Sequence, residues 1–223
     1  MEQTIFDAIR AGDKEAVATF LAANPQLAHA RNGAGVSALM QARYEFKPEI
    51  VSIIRQAAGN LDIFEAAALG DVSRLRELLA QHPEQVAAYS NDGFTALQFA
   101  CFFGQLDAAE ELASRGSDLN AVSRNPMKVS VINTAAASQN LEIVTAVLRA
   151  GADPNHQQQA GYTALHEAAI HNNVAMAQAL LDAGADPNIR SEDGKTPADM
   201  ALEKNHSEVA AVLSRALRAP AKS

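Results

Sequence analysis

Residues 161–169 read GYTALHEAA and residues 184–188 read GADPN, and these two strings set the organisation of the whole chain. The same GADPN string stands at residues 151–155, which is 33 residues earlier. Thr163 has a counterpart at Thr196, again 33 residues away and again two residues after a glycine. Self-similarity at a fixed period of this kind indicates a stack of short repeats in which each unit packs only on its neighbours.

The period and the core string TALHEA at residues 163–168 resemble those of ankyrin repeats, and the resemblance covers nearly all of the chain. It implies an all-α solenoid of stacked helix-turn-helix units with short β-turn fingers. The proline-bearing connections LAANP at 21–25 and LAQHP at 79–83 are similar to those of bacterial members. We therefore expect a bacterial-type ankyrin-repeat protein of about seven repeats.

Seven units can be laid on this template within one ankyrin-repeat domain spanning residues 1–223. We expect the first and last units to act as caps, because each must face water on one side. The predicted units are residues 4–35, 36–60, 61–93, 94–128, 129–160, 161–193 and 194–218, followed by a short tail at 219–223.

Two units depart from the regular spacing. Ala42 and Ala66 occupy matching places but lie only 24 residues apart, so the finger after Gly59 has no room. We expect a gap in the row of fingers there. The fourth unit is longer by two residues around 124–127, which predicts a longer fingertip.

Composition and charge exclude several classes of protein. The formal net charge is −8, which argues against a nucleic-acid partner, since such proteins usually carry a basic surface. No apolar stretch is long enough to span a membrane, and residues 1–10 do not resemble a signal peptide. The single cysteine cannot form an internal disulfide, so we expect a cytoplasmic protein, and we expect a monomer.

Candidate catalytic and metal-binding residues are sparse. The resemblance implies that His166 hydrogen-bonds within and between repeats, and Gln98, Asn133 and Asp199 occupy the matching places in other units. His166 and His171 are five residues apart, which is not the spacing of a zinc-binding helix. No nucleophile or phosphate-binding motif occurs. We expect no enzyme activity, no metal and no cofactor, with a structural role for buried Cys101.

The family resemblance implies that a partner is held by the concave surface formed by the fingers and the first helix of each unit. The two residues before the turn that closes each first helix face this groove, and in the middle units they are unusually apolar. Aromatic residues of this kind dominate interface energetics. The predicted protein-binding residues are Tyr44, Leu69, Tyr89, Phe94, Phe102, Phe103, Tyr162, Ile170 and His171.

Phe102 and Phe103 are adjacent and cannot both face the same layer of a helical stack. If one of them packs beneath the neighbouring finger, we expect it to be Phe102, which leaves Phe103 open in the groove.

Three functions follow as hypotheses. The first is a non-catalytic scaffold that binds another protein through the concave groove of units three to five. The second is a small-ligand, metal-binding or enzyme accessory role that uses His166, His171 and Glu167, although an open groove rarely supplies a closed pocket. The third is self-association through the convex face or an end of the stack.

Overall fold

The computed structural model describes residues 4–218 and places fourteen α-helices there, joined in consecutive pairs by turns of two or three residues. The predicted tail at 219–223 lies outside the described residues. The helices are α1 (Ile5–Ala11), α2 (Lys14–Ala23), α3 (Ala38–Tyr44), α4 (Pro48–Ala58), α5 (Ile63–Leu69), α6 (Val72–Gln81), α7 (Ala96–Phe102), α8 (Leu106–Ser114), α9 (Val131–Ala137), α10 (Leu141–Ala150), α11 (Ala164–Ile170), α12 (Val174–Asp182), α13 (Pro197–Glu203) and α14 (Ser207–Arg218).

The proline-bearing connections form 3-10 helices at Pro25–His29 and Pro83–Ala87, and Gln159–Gly161 form a tight turn in which Ala160 has φ 63°. Proline favours the start of a helical segment because its φ is preset and its missing N–H would be unbonded there anyway. Both longer connections follow the second helix of a pair and lead the chain to the next finger.

The first helix of each pair begins with a polar N-cap residue. In six of the pairs this residue forms a reciprocal capping box with the third residue of the helix, which satisfies backbone N–H groups that the helix itself leaves unbonded. The exception is α3, where Ser37 caps the helix but Met40 occupies the third position. Because Met40 cannot form the reciprocal bond, the second unit is joined to the third by a different hydrogen bond.

The first helices stack side by side in chain order, and the second helices form a parallel outer row. Between the two rows lie leucine and isoleucine side chains, such as Leu97 and Leu165, together with many fully buried alanines. Small side chains let neighbouring helices approach closely, which explains how a chain with few aromatic residues builds a continuous core. The all-α solenoid predicted from the sequence is confirmed.

Three of the fingers are closed by isolated antiparallel bridges, which join Arg31 with Ser37, Tyr89 with Thr95 and Val122 with Ser130. Neighbouring fingers are joined by backbone hydrogen bonds. The Arg124 N–H donates to the Gly93 carbonyl at 2.8 Å, and the Glu192 N–H donates to the Ala160 carbonyl at 2.9 Å.

The finger of the second unit is missing, as the short spacing predicts, because only residues 59–62 separate α4 from α5. The expected gap in the row of fingers is wrong, however. Asn91 Nδ2 donates to the Gly35 carbonyl at 3.3 Å, so the fingers on either side of the missing one touch directly.

The join across the shortened unit is made largely by polar bonds. Arg31 pairs with Asp62 at 2.9 Å, and the Ser37 hydroxyl donates to the buried Glu65 carboxylate at 2.6 Å. On the outer row, α4 and α6 lack the close packing that links every other pair of neighbouring second helices among those described. The stack is therefore continuous on its inner side and looser on its outer side at this point.

Within residues 4–218, no helix combines the length and the apolar character that a bilayer crossing requires.

Candidate protein-binding groove

An aromatic cluster occupies the middle of the concave surface, centred on Phe99, whose side chain is almost completely buried. The ring centroids of Phe94 and Phe64 lie 5.6 Å and 6.0 Å from that of Phe99, within the range of favourable aromatic pairs. Rings from α3, α5 and α7 therefore pack together. The members of the aromatic cluster are Tyr44, Phe64, Phe94, Phe99, Phe102 and Phe103.

The structure reverses the expected order of exposure at the adjacent phenylalanines. Phe103 is half-buried and stacks on Phe99 with a 6.5 Å centroid separation, and the Arg43 guanidinium lies over the Phe103 ring at 4.4 Å from its centroid. Phe102 is the more open residue, with 36% of its surface exposed. The prediction that Phe102 would be the packed member is wrong, because Phe103 leaves the helix as its C-cap residue and turns towards the cluster.

Tyr44 joins the aromatic cluster to the finger that precedes α7. Its hydroxyl donates to the Asp92 carboxylate, and its ring centroid lies 5.9 Å from that of Phe103. Burial raises the pKa of the Tyr44 hydroxyl far above its ordinary value, and the hydrogen bond to the negative Asp92 raises it further. Tyr44 therefore remains a neutral donor to Asp92.

Beside the aromatic cluster, the groove deepens into a cavity of about 410 Å³. Its walls come from α7, α9 and α11 and from the lengthened finger at 122–130. Phe94, Phe99 and Phe102 line one side, and Met127, which is 46% exposed, borders the opening. The two extra residues predicted around 124–127 thus bring an apolar side chain to the rim of the groove.

Three of the predicted binding residues, Tyr44, Phe94 and Phe102, line this cavity. The others lie outside its lining. Leu69, Tyr89, Phe103, Tyr162 and Ile170 are partly buried and His171 is exposed.

Two of those outlying residues have partners that explain their position. The Arg124 guanidinium lies over the Tyr89 ring at 3.8 Å from its centroid, and the Tyr162 ring meets His166 edge-on at 5.5 Å. A role for them in binding a partner stays a prediction.

Sequence reasoning missed Phe99 and Thr134 in the cavity lining, and it named Glu167 only for the alternative ligand site. Phe99, Thr134 and Glu167 each stand four residues after an N-cap and lie side by side on α7, α9 and α11. The same register carries Gln41 on α3 and Ala66 on α5. Comparing this one register across the units would have identified Phe99 as the large side chain facing the groove.

His166 is fully buried, and both of its ring nitrogens are engaged. Nδ1 accepts from the Thr163 N–H at 3.1 Å, and Nε2 donates to the Lys195 carbonyl at 3.1 Å in the next finger. Burial lowers the pKa of His166 below its ordinary value, against the opposing influence of the Lys195 carbonyl and Asp193. The arrangement matches the bracing role that the family resemblance implies.

Of the residues named for the alternative small-ligand site, Glu167 lines the 410 Å³ cavity, whereas His166 and His171 do not. His171 lies at the open end of α11, where its Nε2 pairs with the Glu167 carboxylate at 2.9 Å. Residues 4–218 contain no group of three or more His, Cys, Asp or Glu side chains placed to hold a metal ion. Cys101 is fully buried, and burial raises the pKa of its thiol to about 12.

The fold and the groove define a helical repeat solenoid with an open concave binding surface. Two models of ankyrin repeats match the chain, one over residues 132–219 and the other over residues 63–113, which together make up more than half of its length. The chain belongs to the ankyrin-repeat family. Ankyrin repeats generally mediate protein–protein interactions and are generally non-catalytic.

Several larger proteins contain similar stretches. A probable E3 ubiquitin-protein ligase, XBOS31, from Oryza sativa subsp. japonica is 39% identical over 41% of this chain and 20% of its own length. Ankyrin repeat and SAM domain-containing protein 6 from Rattus norvegicus is 32% identical over 46% of this chain and 12% of its own length. BCL-6 corepressor-like protein 1 from Homo sapiens is 30% identical over 51% of this chain and 6% of its own length. The matches span a fifth or less of these relatives.

Proposed function

We propose that this protein is a non-catalytic scaffold that binds a partner protein through the concave groove, with the 410 Å³ cavity between α7, α9 and α11 as the main contact site. The observation that carries this proposal is the cavity's lining. Phe102 and Met127 present exposed apolar surface at its border, above the rings of Phe94 and Phe99. Exposed apolar surface of this kind marks interaction sites on soluble proteins.

The rigidity of the aromatic cluster supports the same function. Phe102 packs edge-on against Phe103 at 5.1 Å, so its orientation is held before any partner arrives. A preorganised aromatic side chain loses little conformational entropy on binding, and truncating such an anchor often costs about 2 kcal/mol or more of binding energy. We also propose that the seven predicted repeats act as one domain.

The experiment that tests the scaffold function is affinity capture with the full chain, followed by identification of the captured proteins. Phe102→Ser removes the exposed ring from the groove, and Leu141→Ser is the matched control. Leu141 is 38% exposed, close to the 36% of Phe102, but it lies on outer helix α10. We expect Phe102→Ser to lose a partner that the wild type and Leu141→Ser both retain.

Thermal unfolding of the two variants checks that both remain folded. If Phe102→Ser keeps every captured protein, or if Leu141→Ser loses the same ones, the groove is not the binding surface. Light scattering of the wild type at two concentrations separates binding of a different protein from self-association.

A further inference from the structure

We propose that the cavity recognises an extended, basic segment of the partner, in which an apolar side chain enters the cavity and flanking lysine or arginine side chains meet Asp92 and Glu167. This inference rests on the scaffold function proposed above and adds the chemistry of the partner. It is carried by the charges that line the cavity and by the way its other polar groups are already bonded.

The cavity offers negative charge without any positive charge of its own. Its described lining includes the carboxylates of Asp92 and Glu167 and no lysine, arginine or histidine. Half of the lining residues are apolar or aromatic. A ligand that fits this lining therefore combines apolar surface with a positive charge.

The neutral polar side chains of the lining are mostly committed elsewhere. Gln98 Nε2 donates to the Val129 carbonyl at 2.8 Å, and the Thr134 hydroxyl donates to the Val131 carbonyl at 2.7 Å. Asn133 belongs to the capping box of α9. These groups hold the fold together, so the two carboxylates are the main acceptors left for a partner.

The Asp92 carboxylate has hydroxyl partners but no cationic partner. One oxygen accepts from Tyr44 and the other from Ser90, and both donors are neutral. Among the described residues no lysine, arginine or histidine lies within salt-bridge distance of Asp92. A negative charge beside aromatic rings is poorly screened, which favours a cation supplied by a ligand.

The Glu167 carboxylate is only partly used. One of its oxygens pairs with His171, and the other has no hydrogen-bond partner among residues 4–218. Glu167 is therefore free to accept a further donor from the groove.

Nearby basic residues do not belong to the lining. Arg43 lies over the Phe103 ring, Arg124 lies over the Tyr89 ring, and His171 pairs with Glu167 from outside the lining. Lys128 adjoins lining residues Met127 and Val129 in the finger but is not itself part of the lining. The net charge of −8 adds a general attraction for basic segments.

The positions of the carboxylates set the length of the segment. Helix α9 packs between α7 and α11, so Asp92, which precedes α7, and Glu167, on α11, mark opposite ends of the cavity. Two helix-to-helix steps of about 10 Å each correspond to roughly six residues of extended chain. An apolar side chain near the middle of such a segment, with a basic side chain two or three residues away on each side, matches this span.

The experiment uses three six-residue fluorescent peptides with a phenylalanine near the middle and, two or three residues away on each side, lysine, serine or glutamate. Their affinity for the full chain is measured by fluorescence anisotropy. We expect the lysine peptide to bind tightest, and Asp92→Asn and Glu167→Gln each to weaken it about fivefold, the effect of losing one partly exposed ion pair. Phe102→Ser should weaken all three peptides.

Glu142→Gln is the matched control, because it changes the net charge equally on the outer helix α10. Equal weakening by Glu142→Gln would mean that overall charge, not the cavity, selects the peptide, and would overturn the inference. The inference would also be overturned if the serine or glutamate peptide bound more tightly than the lysine peptide and Phe102→Ser weakened that binding. The scaffold function would then still stand. Failure of all three peptides to bind would also overturn it, and the capture experiment would still decide the scaffold function independently.

Discussion

The join between the second and third units and the join between the sixth and seventh each contain a linking side chain, and the two side chains reach in opposite directions along the stack. In both, a buried side chain three residues after an N-cap links two units. Glu65 reaches back and accepts from the Ser37 hydroxyl of the preceding unit, whereas His166 reaches forward and donates to the Lys195 carbonyl of the following finger. The difference follows from Met40, which cannot form the usual link from the second unit.

One position in the repeat can carry either an acid or an imidazole, and burial shifts the pKa values of these two groups in opposite directions. Burial raises the pKa of Glu65, with nearby Asp62 adding to the effect, and burial lowers the pKa of His166. In each case burial disfavours the charged form. The two joins should therefore respond to pH in opposite directions.

The largest expected effect comes from the finger glycines at the two joins. Gly161 has φ 76°, and a Cβ added there would lie 3.0 Å from the Glu192 backbone nitrogen. Gly35 has a similar φ of 77°, and its added Cβ would lie 2.9 Å from the Asn91 Cβ, which side-chain rotation cannot move. Gly194, with φ 79°, has nothing within 4 Å of an added Cβ. We expect Gly161→Ala and Gly35→Ala each to cost about 3 kcal/mol of unfolding free energy, from left-handed strain plus a clash, and Gly194→Ala about 1 to 2 kcal/mol from strain alone.

Urea unfolding of the three variants measures these costs. A cost for Gly194→Ala as large as that for Gly161→Ala would show that contact with the neighbouring finger adds nothing to the backbone strain, and would contradict this expectation.

Loss of the hydrogen bonds made by His166 should have the second-largest effect on stability. His166→Ala leaves the Thr163 N–H and the Lys195 carbonyl without partners in a buried site, so we expect a loss of about 2 kcal/mol at pH 8. His166→Gln should lose much less, because Gln98 makes the equivalent link to the Val129 carbonyl in its own unit. Chemical denaturation of the two variants gives the comparison, and similar losses would argue against a linking role.

Acid should weaken the join held by His166. The folded pKa is lowered below the ordinary value of 6.5, so the buried ring contributes stability above pH 6.5 and loses that contribution as the pH falls through the folded value. His166→Gln should flatten the dependence of unfolding free energy on pH in this window. An unchanged slope would mean that His166 is protonated without cost in the folded protein.

Acid should strengthen the join held by Glu65. Its folded pKa is raised above the ordinary value of 4.5, so its contribution to stability is greatest below pH 4.5 and is lost as the pH rises through the folded value. Subtracting the pH profile of Glu65→Gln from that of the wild type isolates this term from other carboxylates. A difference that grows with pH instead would show that the ionised carboxylate is the stabilising form.

The smallest effect is expected at the turn of the second unit. Phe46 has φ 53° and is 76% exposed, whereas the equivalent residue in the sixth unit is Asn172, with the same φ of 53°. Bulky residues are strained in this region and asparagine tolerates it. We expect Phe46→Asn to raise the unfolding free energy by up to about 1 kcal/mol. A loss of stability in thermal unfolding would mean that the exposed ring makes contacts that outweigh the strain.

The fold could be predicted in some detail because its signals are local. Capping residues such as Thr163 and turn glycines such as Gly151 fix the helix ends, and residue spacing alone showed that the second finger is missing. Closure of the gap could not be predicted, because the contact between Asn91 and Gly35 joins residues that are far apart in sequence and that belong to units of unequal length.

The groove was predicted less well for the same reason. Tyr44, Phe94 and Phe102 line the cavity, but the packing of Phe103 depends on Arg43, which comes from another unit. The carboxylates at the cavity could not be distinguished from ordinary surface acids without knowing which groups surround them. A binding role for the predicted residues remains to be tested by the experiments above.

The fully buried Cys101 gives the central helix pair a built-in reporter. Only the thiolate attacks a disulfide reagent, so in the closed molecule both access to the sulfur and its ionisation are suppressed. Reaction should proceed through transient opening of the repeat that contains it, and its rate would measure how often that opening occurs. A ligand seated against α7 should slow the labelling, which would give a kinetic readout of occupancy without any attached dye.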